Sequence, residues 1–352
     1  MSAPRAAFVN AVATAVPRHD VHRKFVDYAP RMLRDERARR LFGRMAERSG
    51  IEHRYSFLAP ENLSVGGFYA PGDFPDTAAR MLAFERHAPA LACQAADTLL
   101  GNNERRRITH ILTACCTGFS APGVDHDVIA QCGLLPGVER TMIGFMGCYA
   151  AINALRLARH IVRSEPDARV LVLCIELCTL HLQETTDLEQ MLSFLIFADG
   201  CAAALVSADE DGLALDGFRT VLMPETRDHI TWNIRASGFD MVLSGRVPKA
   251  IQAGLHAQAG DIVGGVAASD IDLWAVHPGG RTVLDAVEHA LDLDGEALAA
   301  SRDVLRRYGN MSSATVMFVL DQLMRSGVHD GRGCAMSFGP GLSAEIMSFR
   351  GA

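Results

Sequence analysis

Thr141-Met-Ile-Gly-Phe-Met-Gly-Cys-Tyr-Ala-Ala-Ile-Asn-Ala-Leu155 carries an apolar run into a glycine-marked turn and leaves it as a run of small, helix-forming residues. This pattern predicts a strand, a sharp turn and a helix, with Cys148 at the helix's first turn. A thiol placed there faces the free N–H groups and the positive end of the helix dipole, which favour its thiolate. The thiolate is the reactive form, so Cys148 is a candidate nucleophile. The competing reading is that Cys148 is a small buried hydrophobe, as most cysteines are.

Two further segments bear on the choice. Trp274-Ala-Val-His277-Pro-Gly-Gly280 reads as a short strand ending in a histidine. Side chains at the carboxyl ends of strands are where α/β proteins assemble their sites. Tyr308-Gly-Asn310-Met-Ser-Ser-Ala-Thr315 places an asparagine before a second small-residue helix. By itself Asn310 reads more readily as a helix N-cap. A thiol, an imidazole and an amide donor together supply what acyl transfer needs.

The remaining signals set limits. The chain has 352 residues, a net charge of -7 and no basic excess, which argues against nucleic-acid binding. Its nine cysteines (93, 115, 116, 132, 148, 174, 178, 201 and 334) show no zinc-ligand spacing, so no metal site is expected. The odd count and the lack of a secretory opening suggest a reduced, cytoplasmic setting. No apolar run reaches the ~18–20 residues of a membrane span. There is no Rossmann or P-loop fingerprint, and no cofactor is expected.

Periodicity predicts strands over 5–15, 108–115, 169–175, 213–222, 271–276, 334–338 and 344–349. Helices are expected over 30–49, 87–99, 148–162, 248–257, 281–291, 295–307 and 312–324, with loop over 52–78. Phe197-Ala-Asp-Gly200 and Phe338-Gly-Pro-Gly341 each place a glycine turn before an apolar strand. With the Cys148 and Asn310 helices, this suggests two βαβ-rich halves, 1–212 and 213–352, packed as one unit. The arginine-dense stretch from Arg31 to Arg48 is either a ligand-facing or a merely solvated helix face.

Taken in order, the Cys, His and Asn segments resemble the thiolase superfamily, and within it the type III polyketide synthases of the chalcone synthase kind. The similarity runs over nearly the whole chain. Phe338-Gly-Pro-Gly-Leu-Ser-Ala-Glu345 resembles the family's glycine-proline signature, with Ser337 in place of its first glycine. The resemblance implies an α/β thiolase fold with a layered αβαβα core. It implies Cys148, His277 and Asn310 as catalytic residues and Phe197 as a gatekeeper. Arg44 and Arg48 would contact CoA phosphates, although Leu41 stands where plant enzymes carry lysine. Cys116, Thr117, Cys178, His181, Met241, Ser312, Phe338, Gly339 and Pro340 would line the substrate pocket. Compared with plant enzymes this wall is less hydroxylated and partly less aromatic, which suits an aliphatic starter. The implied activity is loading of an acyl-CoA starter on Cys148, extension with malonyl-CoA and cyclisation to a pyrone, resorcinol or phloroglucinol-type product. A homodimer is also implied, with Ala121 at the place of a cross-subunit methionine. A ketoacyl synthase III-like enzyme is the nearest alternative, followed by an acyl-CoA-binding or acyl-CoA-hydrolysing protein of the same fold.

Overall fold

The structure is a computed structural model, described here for residues 5–257, 266–327 and 331–351. The first half contains β1 (Phe8–Ala15), β2 (His19–Asp20), α1 (His22–Tyr28), α2 (Glu36–Arg48), β3 (Tyr55–Ser56), α3 (Thr77–Leu99) and α4 (Asn102–Arg105). It continues with β4 (His110–Cys115), α5 (Val124–Gln131), β5 (Glu139–Gly144), α6 (Ala150–Ser164), β6 (Val170–Leu177), α7 (Leu188–Ile196) and β7 (Asp199–Ser207). The second half contains β8 (Leu213–Leu222), β9 (Ile230–Arg235), β10 (Gly238–Leu243), α8 (Val247–Ala257) and β11 (Leu273–Val276). It ends with α9 (Arg281–Leu291), α10 (Ala299–Tyr308), α11 (Thr315–Arg325), β12 (Arg332–Gly339) and β13 (Ser343–Gly351).

The halves repeat one topology. In the first, β4-β6-β7-β1 are neighbours, paired parallel, antiparallel and antiparallel, with β5 added parallel outside β4. In the second, β11-β12-β13-β8 follow the same order with the same pairings. The two sheets join where β1 meets β8 through Phe8–Ala214 and Val9–Leu213.

Burial places the helices in layers. α6 and α11 lie between the sheets, because Ala150, Ala151, Ala154 and Ala158 of α6 and Val316 and Val319 of α11 share one core with residues of both. Small side chains allow this close approach. α3 and α5 cover the outer face of the first sheet. α8 and α9 cover the outer face of the second. The result is the αβαβα thiolase arrangement. β6 and β7, buried along their whole length, read as unbroken apolar runs for that reason.

Several expectations shift. The arginine helix begins at Glu36, where Asp35 caps it by accepting from the Ala38 N–H at 2.8 Å. The helix expected at 87–99 starts at Thr77, capped by Asp76, and runs through Pro89. Only its first two residues, Thr77 and Ala78, fall inside the stretch read as loop, and the following turns belong to no expected element. Gly200 does not precede β7 but lies within it, and a Cβ there would sit 2.3 Å from the Met311 sulfur. The glycine serves close packing, whereas Gly339-Pro340-Gly341 does form the turn between β12 and β13. α5, α7 and the β9–β10 hairpin had no clear periodicity. No described helix is long and apolar enough to cross a membrane.

Candidate active site

β5 ends at Gly144, and the chain turns through Phe145 and Gly147, both at positive φ, into a short 3-10 turn holding Cys148. A Cβ on Gly147 would lie 2.3 Å from Pro340 Cδ, so only glycine fits between the turn and the β12–β13 corner. The Gly147 N–H donates to Cys116 Sγ at 2.9 Å, which ties the turn to the end of β4. Gly339 presses from the other side. Its Cβ would be 2.7 Å from the Tyr149 ring and 3.4 Å from the Cys148 nitrogen. Gly339→Ala should therefore push the nucleophile off position and lower kcat by about 10- to 100-fold. Steady-state kinetics beside an unchanged far-UV circular dichroism spectrum would check this.

Cys148 is partly buried, and burial pushes its thiol up to about 12, against hydrogen bonds from Ser312 and Asn310 that favour the thiolate. His277 ends β11, held by its N–H donating to the Met336 carbonyl at 2.7 Å. His277 is 1% exposed, and neither ring nitrogen has a hydrogen-bond partner among the described residues. Burial pushes the imidazole down to about 3. Burial thus disfavours an isolated charge on either group. Charging both together by proton transfer avoids leaving an isolated buried charge.

Asn310 is fixed from several directions. Its N–H donates to the Ile196 carbonyl and its carbonyl accepts from Ala198, each at 2.8 Å. Its Oδ1 accepts from the Ser312 N–H at 2.8 Å. That bond leaves the Nδ2 donor free to serve the cavity, with only a 3.5 Å contact to the Gly279 carbonyl. The same bridge sets Phe197 directly beside Asn310. The Asn310 side-chain oxygen thus makes a cap-type bond to the 3-10 turn Ser312–Ala314 that leads into α11, while its nitrogen faces the cavity.

One cavity joins these groups. Cys148, His277, Asn310 and Phe197 line it, and so do Cys116, Thr117, Cys178, His181, Met241, Ser312, Phe338, Gly339 and Pro340. Arg44 and Arg48 do not line it. Both lie exposed on α2 without an ion-pair partner among the described residues. The Arg48 carbonyl accepts from Arg281 at 3.3 Å, close to the rim residues Gly279 and Val283.

Aromatic rings nevertheless close one side of the wall. His181 stacks on Phe239 at 4.2 Å and meets Trp232 edge-on at 5.1 Å. Its Nε2–H donates to the Thr117 carbonyl at 2.7 Å while Nδ1 accepts from the Phe239 N–H at 3.2 Å. Burial holds this ring neutral, down to about 3. Trp232 Nε1–H donates to the Cys116 carbonyl at 2.7 Å. Cys174 is core, and Cys178 is wall.

Sequence reading missed three residues here. Trp232 is one. Glu176 is another: fully buried, it accepts from the Cys116 N–H (3.0 Å), the Thr117 hydroxyl (2.8 Å) and the Ser313 hydroxyl (2.6 Å). A lone carboxylate inside the apolar strand Val170–Leu177 was its visible signal. Arg54 is the third, 2% exposed, with Nη1 donating to the carbonyls of Phe194 and Phe197 at 3.0 and 2.6 Å. Among the described residues no group of His, Cys, Asp and Glu is arranged to hold a metal ion.

Comparison with known proteins gives this geometry a family. Residues 2–210 match the N-terminal domain model of chalcone and stilbene synthases, and residues 216–352 match the C-terminal one. The alpha-pyrone synthesis polyketide synthase-like Pks18 of Mycobacterium tuberculosis is 33% identical, over 97% of this chain and 91% of the relative. Bisdemethoxycurcumin synthase of Oryza sativa subsp. japonica is 34% identical over the same shares. The C-terminal type III polyketide synthase domain of Steely1 from Dictyostelium superposes with a TM-score of 0.88 at 26% identity, covering 98% of this chain and 99% of that one. PKS-I from the brown alga Ectocarpus siliculosus gives 0.87 at 29%, covering both chains in full. With both halves matched and the Cys, His and Asn segments converging on one cavity, the chain belongs to the chalcone and stilbene synthase family of type III polyketide synthases, acyltransferases that catalyse decarboxylative condensation.

Proposed function

We propose that Cys148, His277 and Asn310 carry the condensation, starting from an aliphatic acyl-CoA and ending in a pyrone- or resorcinol-type product. The observation that carries this reading is the pair of unpartnered His277 ring nitrogens in the cavity that also holds the Cys148 thiol and the Asn310 amide. His277 takes the Cys148 proton as sulfur attacks the starter thioester. The acyl–sulfur bond to CoA breaks, and the CoA thiolate leaves with that proton. Malonyl-CoA then places its thioester oxygen against His277 and Asn310. As its carboxyl carbon departs as carbon dioxide, the electron pair left behind forms an enolate that these donors stabilise. The enolate attacks the acyl group on Cys148, and the Cys148 thiolate is released. Phe197 orients the malonyl group beside Asn310. No metal or organic cofactor enters these steps.

Mostly apolar lining supports an aliphatic starter, since each buried methylene is worth ~0.8 kcal/mol. The similarity to a protein named for alpha-pyrone synthesis supports a pyrone. Arg44 and Arg48, exposed and without an ion-pair partner among the described residues, offer cations for the CoA phosphates. Free thiols agree with a cytoplasmic enzyme. The exposed Met142 and Met146, by the uncovered edge strand β5, support a homodimer through the nucleophile half, which sedimentation would measure.

The test is product analysis by mass spectrometry with a panel of acyl-CoAs and malonyl-CoA. Fatty acyl starters should give chains extended by two-carbon units and cyclised. Exclusive use of an aromatic starter would refute the aliphatic preference. A single extension without cyclisation would favour the ketoacyl synthase III-like reading, and free acid alone a hydrolase.

A further inference from the structure

Arg54 is a buried charge that no reaction step above uses. It stands just before β3, and its backbone is tied at both ends. Its N–H donates to Asp20 Oδ1 at 3.3 Å, and its carbonyl accepts from the Val21 N–H at 2.8 Å. The residue is 2% exposed and touches the catalytic cavity. Its guanidinium lies 4.8 Å over the Phe25 ring, and among the described residues it bonds to no carboxylate. Burial lowers it to about 10, offset in part by Asp20 and Asp199, so it stays charged at neutral pH. A well-packed apolar side chain in such a place is often as stable or more so.

The bonds of Arg54 converge on one bend of the chain. Nε donates to His22 Nδ1 at 3.0 Å. Nη1 donates to the Phe194 carbonyl at 3.0 Å and to the Phe197 carbonyl at 2.6 Å. The first carbonyl belongs to the last turn of α7, and the second to the extended residue that follows the helix. One nitrogen therefore fixes the bend that presents Phe197. Capping α7 accounts for the Phe194 bond alone, since the Phe197 carbonyl lies beyond the helix.

Asn310 grips the same bend from its other side, through the Ile196 carbonyl and the Ala198 N–H. The stem of Arg54 packs against this pairing. A Cβ on Gly309 would fall 2.8 Å from Arg54 Cγ and 2.9 Å from the Ile196 carbonyl. Arg54, Ile196–Ala198 and Gly309–Asn310 thus form one packed unit. His22 remains an acceptor within it, because burial and the Arg54 charge push its imidazole down to about 4.

We infer that Arg54 is a positioning residue for malonyl extension, fixing the backbone of Phe197 and Asn310 without serving the loading of Cys148. The inference rests on the proposed roles of Phe197 and Asn310 and adds what holds them in register. Cys148 and His277 are set by a different framework. The Cys148 turn is tied to Cys116 and packed on Pro340, and His277 is held by Met336. Loading draws on that framework, whereas extension also needs the malonyl thioester seated against Asn310 and Phe197.

The test compares two rates on one preparation. The first is acylation of Cys148 by octanoyl-CoA, read by rapid-quench intact-protein mass spectrometry. The second is kcat/KM for malonyl-CoA in extending that starter. Their ratio cancels any loss of folded protein, which is what a merely structural role would produce. Arg54→Met should lower the malonyl-CoA kcat/KM by about 30- to 100-fold, the scale of an ångström's misplacement, and keep loading within about threefold. Arg54→Lys, a point charge in place of a fork, should fall between Met and the native residue. His22→Leu removes the Nε acceptor but leaves the carbonyl bonds, and should move the same ratio by about 3- to 10-fold. If Arg54→Met does not fold, the His22→Leu ratio decides.

Equal losses in loading and extension, or an unchanged ratio, would overturn the inference. Phe197→Ala separates it from the reading beneath it. A ratio altered by Phe197→Ala but not by Arg54→Met overturns the positioning role alone. A ratio that neither variant changes overturns the Phe197 role as well. Native protein that loads octanoyl-CoA yet extends it with no malonyl unit would refute the condensing reading itself.

Discussion

Cys148→Ala should form no covalent acyl adduct, and kcat/KM for product formation should fall by at least ~10⁴. Intact-protein mass spectrometry after incubation with acyl-CoA reads the adduct; product assays read the rate. Alanine differs from cysteine only by the sulfur, so the fold has little reason to change. His277 and Asn310 remain in place, held by the Met336, Ile196 and Ala198 backbone. The variant should therefore still decarboxylate malonyl-CoA, within about tenfold of the native rate, since those donors stabilise the enolate whether or not an acyl group waits nearby. Loss of decarboxylation together with condensation would show that the thiol is needed for both steps. An acyl adduct on the variant would place the nucleophile elsewhere.

Glu176 should show the largest effect on stability. Glu176→Ala leaves the Cys116 N–H and the Thr117 and Ser313 hydroxyls without their acceptor in a fully buried place. Each stranded donor costs about 1–3 kcal/mol, so a loss of roughly 3–5 kcal/mol is expected by urea denaturation. These donors flank the nucleophile turn and the Ser312 turn, so kcat should drop too, by about 100-fold.

The pH dependence gives a separate check. Burial raises the Glu176 carboxyl to about 7, above its usual 4.5. Between those values the folded protein keeps a proton that the unfolded chain has lost. Its contribution is complete below pH 4.5 and is lost as pH rises through 7. Asp199, raised to about 6, titrates in the same window, so the useful quantity is the difference between native protein and Glu176→Gln. That difference should change steadily from pH 4.5 to 7 and level off above. A flat difference would mean that Glu176 does not titrate there.

Legibility followed local physics. The Cys148, His277 and Asn310 segments could be read because each combines a chemical side chain with a turn that only glycine or a small residue can make. Residues 213–222 and 281–291 could be read because alternation or helical spacing ran clean to their ends, matching β8 and α9. α3 could not, because Pro89 is tolerated inside a helix packed on a sheet. Gly200 was taken for a turn because its reason, the Met311 sulfur, lies 111 positions away in sequence.

By itself the sequence determined the fold family, the order of the catalytic groups and the presence of two related halves. Those rest on short motifs and on the periodicity of burial, which are properties of neighbours along the chain. Only the tertiary structure decided what lines the cavity. Trp232, His181 and Phe239 stack beside the Cys116–Thr117 wall, Glu176 ties that wall to the Ser313 turn, and Val21, Phe25 and Leu63 join the lining from distant elements. Those residues come from α1, a loop, β6, β9 and β10, and no local pattern relates them. What the nucleophile receives is set by side chains that meet only once the sheets and helices have packed.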